Sequence, residues 1–112
     1  VWDTGIVRKA MKRRSIEAYA TQLRQAISVS ERERWARGTP LAWSQESFEI
    51  ATRANVEYCD WVTGSDGRRQ CRSEGPIRVL TQAYQARFQP VVEQRLKQAG
   101  VRLAKLLREV VR

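Results

Sequence analysis

QPVVEQRLKQAGVRLAKLL, residues Gln89 to Leu107, decides the fold class. Its apolar residues Val92, Leu96, Ala99, Leu103 and Leu107, continued by Val110, recur every three or four residues, the period of one face of an α-helix. Glu93, Arg95, Lys97 and Arg102 fall between them, available for the solvent side. The seam is shorter than the roughly three to four heptads that mark a coiled coil, so it predicts a packed terminal helix. Pro90 lacks an N–H and is expected to break or kink the chain at the head of that seam.

Upstream the same period returns. Ile77, Leu80, Tyr84 and Phe88 lie on one stripe after the Gly75-Pro76 punctuation. Thr39-Pro40 is a helix start, because Thr caps and Pro fits the first helical position, and the helix carrying Trp43, Phe48, Ile50, Ala51, Ala54 and Tyr58 is expected to run into Cys59. Ser30 and Glu33 have capping-box spacing and predict a short helix that carries Trp35 and stops at Gly38. Ser15 is placed to cap a helix with Ile16, Tyr19, Ala20, Leu23 and Ile27 on one face, ending near Ser28. No stretch alternates apolar and polar residues long enough to predict a strand. The expectation is an all-α fold of five or six helices, without internal repeat, forming a single helical unit over residues 1–112.

Composition bounds the partners. The 112 residues are 42% hydrophobic and 29% charged, as in a globular protein. No apolar run approaches the roughly 20 residues needed to span a bilayer, so no membrane segment is expected. The 21 Lys and Arg against 12 Asp and Glu give +9 and a bias towards polyanions, of which solvated helix faces are the plainer account. Histidine is absent, which removes the commonest neutral-pH base and zinc ligand from this chain. No catalytic motif stands complete, and no catalytic residue is assigned. The chain shows no basic-then-apolar leader, and starting at Val1 it is expected to be a processed or truncated piece.

Cys59 and Cys71 flank a Gly- and Asp-rich segment that reads as a loop. A disulfide closing it in an oxidising compartment would contribute about 3 kcal/mol, and two unpaired thiols are the alternative. From the pattern alone Asp3 reads as the cap of a helix over Thr4 to Met11.

Three words go further: VWD at 1–3, TPLAWSQES at 39–47, and the Gln89–Leu107 stretch. Their order and spacing resemble the C-terminal half of the S1/P1 nuclease family, zinc-dependent nucleases of single-stranded DNA and RNA. Pro90, Val91, Leu96, Ala99, Gly100, Arg102, Leu103 and Ala104 carry most of the likeness, followed by Trp43 and Glu46-Ser47. Ser44 departs from the family's alanine.

The resemblance implies a phospholipase C/P1 nuclease-like helical fold and phosphodiester hydrolysis giving 5′-phosphorylated products, with 3′-nucleotidase activity as a companion. It implies that Asp3, paired with Trp2, closes the family's His-x-x-x-Asp motif and binds one of three Zn²⁺ ions, the one that takes substrate phosphate. Trp2 is then a core indole beside the metal. It implies single-stranded nucleic acid and nucleotides as substrates, a secreted or periplasmic location, and an N-terminal segment of the same protein carrying the histidines, without which the fragment is inactive. The competing reading is a non-enzymatic basic helical module that binds nucleic acid or serves as a scaffold.

Overall fold

The computed structural model describes residues 2–53, 56, 61–72 and 81–111, excepting the side chains at positions 2 and 3. Among them are a π-helical turn, Trp2–Ile6, five α-helices, α1 (Val7–Met11), α2 (Ile16–Gln25), α3 (Val29–Trp35), α4 (Pro40–Ala51) and α5 (Gln82–Val110), and two short strands, β1 (Trp61–Thr63) and β2 (Arg69–Cys71). The fold class is all-α, as the periodicity predicts. The chain divides into two compact units, Val1–Arg37 with Leu80–Arg112, and Gly38–Val79.

The first unit is organised by α5, whose 29 residues span about 43 Å. Thr81 caps it, its hydroxyl accepting the Tyr84 N–H at 3.2 Å. Pro90 lies inside this helix, so of the expected break or kink the break does not occur. An internal proline costs about 3 kcal/mol, but Phe88 and Val92 on either side of it are both buried, so packing holds the helix through the missing donor.

The π-helical turn, α1, α2 and α3 all contact α5. Their buried members are Ile6, Ala10, Tyr19 and Trp35, against Tyr84, Phe88 and Val92 of α5. The expected seam is corrected beyond Val92: Leu96, Leu103 and Leu107 are 39%, 57% and 53% exposed, and Val110 is exposed too. The covered stripe instead passes from Val92 to Gln98 and Arg102, both buried. Arg102, expected in water, is only 7% exposed. Its Nε–H reaches the carbonyl of Trp35, the last residue of α3, at 3.3 Å. A helix end leaves its final carbonyls without intrahelical donors and carries partial negative charge, so a guanidinium there meets both needs.

α2 begins as predicted, with the Ser15 hydroxyl accepting the Ala18 N–H at 3.1 Å. It ends at Gln25, short of the expected Ser28, because Ser28 is itself an extended cap for α3. The capping box is Ser28 with Glu31, not Ser30 with Glu33: Glu31 N–H donates to the Ser28 hydroxyl at 3.2 Å, and Ser28 N–H to Glu31 at 2.9 Å. Both pairs have the right spacing, and the earlier one gives the helix two turns before Trp35 enters the core.

In the second unit Thr39 caps α4 and Pro40 opens it. Gly38 stands at φ +90°, and a Cβ there would also meet the Trp43 indole nitrogen at 3.1 Å, so both the backbone and the buried Trp43 call for glycine. α4 stops at Ala51 rather than running to Cys59; just past its end Thr52 donates both its N–H and its hydroxyl to the Phe48 carbonyl, each at 2.9 Å. Phe48 itself is 61% exposed, contrary to its expected packing role. Ala54, Tyr58, Ile77 and Leu80 lie outside the described residues.

The segment expected as a loop forms an antiparallel hairpin, with Trp61 opposite Cys71, Val62 opposite Gln70 and Thr63 opposite Arg69. Trp, Val and Thr suit strands, and three residues are too few to show alternation. The turn is closed by Gly64 N–H to the Arg68 carbonyl at 2.8 Å, with Gly67 at φ +76° and Asp66 accepting the Arg68 N–H at 3.0 Å.

Candidate functional site

Asp3 lies within the π-helical turn that leads into α1. The residue that precedes α1 is Ile6, which is itself helical and makes no side-chain cap. α1 thus begins at Val7, later than the Thr4 start that goes with the capping alternative for Asp3. The carboxylate of Asp3 lies outside the described atoms. π-Helical turns widen the helix by one residue and recur where a protein positions functional groups.

Beyond this turn, α1 ends in a hydrogen-bonded arginine. Arg14 donates from Nε to the Met11 carbonyl at 2.9 Å and from Nη2 to the Ala10 carbonyl at 2.8 Å. The same guanidinium lies over the Tyr19 ring, 5.3 Å from its centroid. Tyr19 in turn donates its hydroxyl to Glu93 on α5 at 3.1 Å, and Gln89 donates to the same carboxylate oxygen at 3.1 Å. Burial, the Glu93 charge and this hydrogen bond push the phenol up to about 12, against a smaller opposing pull from Arg14. The network is a neutral phenol on an anion beside a cation, and it fixes the elements that follow Asp3. From sequence Tyr19 was only a core residue and Glu93 a solvent residue. The available signal was a tyrosine on a buried stripe, whose hydroxyl needs a partner once the ring is covered.

Between these two features, Arg8, Lys9, Lys12 and Arg13 are exposed. Lys12 and Arg13 have φ of +47° and +65°, the left-handed region that non-glycine residues seldom occupy.

The second unit carries a different pairing. Arg69 on β2 lies over the Trp61 ring at 5.5 Å, which covers one face of that indole. Cys71 is disulfide-bonded, and Cys59 lies outside the described residues. Glu46 on α4 is half-buried.

Among the described residues no group of three or more His, Cys, Asp or Glu could hold a metal ion. The chain has no histidine, so any histidine ligand to a metal would have to come from outside these residues. Among the described residues, too, no helix is long and apolar enough to cross a membrane.

Comparison with known proteins gives one family. S1/P1 Nuclease matches residues 1–112, from the Trp2-Asp3 turn through the hairpin to the end of α5. No curated protein and no solved structure matches at a significant level. Because the match runs the full length of the sequence, the chain belongs to the S1/P1 nuclease family.

Proposed function

We propose that this chain is the C-terminal, scaffold-bearing part of a zinc-dependent nuclease that cuts phosphodiester bonds in single-stranded DNA and RNA. The products would carry 5′-phosphates, and the same centre would act as a 3′-nucleotidase. Asp3 contributes one carboxylate ligand to one of three zinc ions, and the histidine ligands come from another segment of the same protein. The observation that carries this reading is the family match over residues 1–112; the Trp2-Asp3 pair resembles the Trp-Asp pair of the family's metal-binding motif. A nuclease is what membership itself suggests; zinc, strand preference and the role of Asp3 are the finer reading.

A secreted or periplasmic location goes with this reading. It is supported by Cys71 being disulfide-bonded, with Cys59 proposed as its partner, since such bonds persist in oxidising compartments.

The test is Asp3→Asn in the intact protein, which keeps the shape of the side chain and weakens its hold on a cation. Bound zinc and cleavage of a single-stranded oligonucleotide should both fall. Unchanged values for both would overturn the assignment. The second reading, a basic helical module without catalysis, draws on the lack of histidine. It would prevail if the intact protein bound single strands in a salt-sensitive way and never cut them.

A further inference from the structure

We propose that Arg8, Lys9, Lys12 and Arg13 form a phosphate track on which a single-stranded nucleic acid is held next to the Asp3 turn. The proposal rests on the reading of this protein as a nuclease of single strands and adds the residues that bind the backbone.

Four observations carry it. The four side chains are exposed and crowded into six residues at the end of α1, which begins directly after the turn that contains Asp3. None of the four forms an ion pair with a described residue, whereas the fifth cation of the run, Arg14, is consumed by the Ala10 and Met11 carbonyls and the Tyr19 ring. The acid that meets the Tyr19 hydroxyl is likewise engaged: Glu93 accepts from both Tyr19 and Gln89. The last observation is the backbone itself: Lys12 and Arg13 both occupy left-handed conformations that glycine or asparagine would accept more readily, so the fold keeps two cations where local preference is against them.

The chemistry fits a phosphodiester strand. Single-strand binding by such cations releases condensed counterions, and the affinity then falls with salt by a slope near 0.7 per phosphate neutralised. The contacts are to phosphate, so they orient the strand without selecting its bases.

The experiment measures binding of a fluorescent oligothymidylate to the intact protein across a salt series, in an Asp3→Asn background so that the strand is not cut. The combined variant Arg8→Gln, Lys9→Gln, Lys12→Asn and Arg13→Asn should lower the slope of log affinity against log salt by about 3. A control that removes four exposed arginines elsewhere, Arg24→Gln, Arg34→Gln, Arg37→Gln and Arg108→Gln, should move it by less than about 1. Equal changes in both variants would mean diffuse charge and overturn the proposal, as would an unchanged slope in the first. Should the combined variant fail to fold, Arg8→Gln and Lys9→Gln made singly should each lower the slope by about 0.7, and no change in either overturns it. Tighter binding to phosphatidylserine vesicles than to the oligonucleotide would assign the track to a membrane surface and sink it. Failure of the zinc assignment is read separately, as retained cleavage by Asp3→Asn, in which case the same salt series is run on a cleavage-resistant phosphorothioate oligothymidylate.

Discussion

The Tyr19 hydroxyl donates to the Glu93 carboxylate at 3.1 Å, joining residues 74 positions apart on α2 and α5. With Arg14 over the ring and bonded to the last carbonyls of α1, this one phenol links three helices. A net hydrogen bond to a charged group contributes about 1.5 to 3 kcal/mol.

Tyr19→Phe keeps the buried ring and removes only the donor. Glu93 retains Gln89 as a partner, so the loss should fall near the low end, about 1 to 2 kcal/mol. Glu93→Ala should cost at least as much, since it leaves the phenol without its acceptor in a covered position. Urea unfolding of both variants decides the matter; a Tyr19→Phe value within about 0.3 kcal/mol of the parent would show that the bond carries nothing.

The same bond has a pH signature. Burial first, then the Glu93 charge, raise the Tyr19 phenol to about 12, above the value near 10 of an exposed tyrosine. A group raised on folding stabilises the fold fully below its unfolded value, and that stability is lost as pH climbs through the folded value. The difference in stability between the parent and Tyr19→Phe should therefore be constant up to about pH 10 and shrink towards pH 12. Glu31 behaves oppositely: its bonds to Ser28 hold the carboxyl low, so its contribution is present above the ordinary carboxylate range and fades as pH falls through it. Paired melts of the parent and Ser28→Ala from pH 3 to 7 would show the second effect as a gap that narrows in acid.

How much of this could be read from the chain follows from the range of each interaction. Caps at Ser15 and Thr39 were legible because the donor lies three residues away and nothing distant competes. The Ser28 box was missed by two residues because Ser30 offers an identical local pattern, and the choice between them is made by where Trp35 must land. The helix running through Pro90 and the burial of Arg102 share one reason: each breaks a local rule that burial against other helices outweighs. The hairpin hid because three-residue strands fall below any periodic signal. At the candidate site, Asp3 was legible only through its resemblance to a family motif, while the Tyr19–Glu93 bond joins residues whose pairing no local pattern announces.

Arg102 gives the third expectation. Its guanidinium is buried and donates to the Trp35 carbonyl at the end of α3, so Arg102→Met, which keeps the stem and removes the charge, strips a donor from a covered helix terminus. The cost should be about 1 to 3 kcal/mol. Arg102→Lys should recover only part of it, because an ammonium cannot present the planar fork of Nε–H and Nη–H donors. Full recovery by lysine in chemical denaturation would mean that charge at the helix end, not donor geometry, is what matters.

The fourth expectation sets stability against binding at a single pair of residues. Lys12 at φ +47° and Arg13 at φ +65° hold left-handed backbone conformations that cost an L-residue about 1 to 2 kcal/mol each. Glycine avoids that cost but loses about 0.5 to 1 kcal/mol more chain entropy on folding, so Lys12→Gly and Arg13→Gly should each stabilise the fold by about 0.5 to 1 kcal/mol. Neither side chain makes an ion pair with a described residue, so no such contact offsets the gain. Each variant should meanwhile weaken single-strand binding and flatten its salt dependence by one phosphate's share. Opposite signs in urea unfolding and in oligonucleotide affinity would place these two cations where function is kept at the expense of stability. A loss of stability on glycine substitution would instead show that the left-handed turn is held by the side chains themselves.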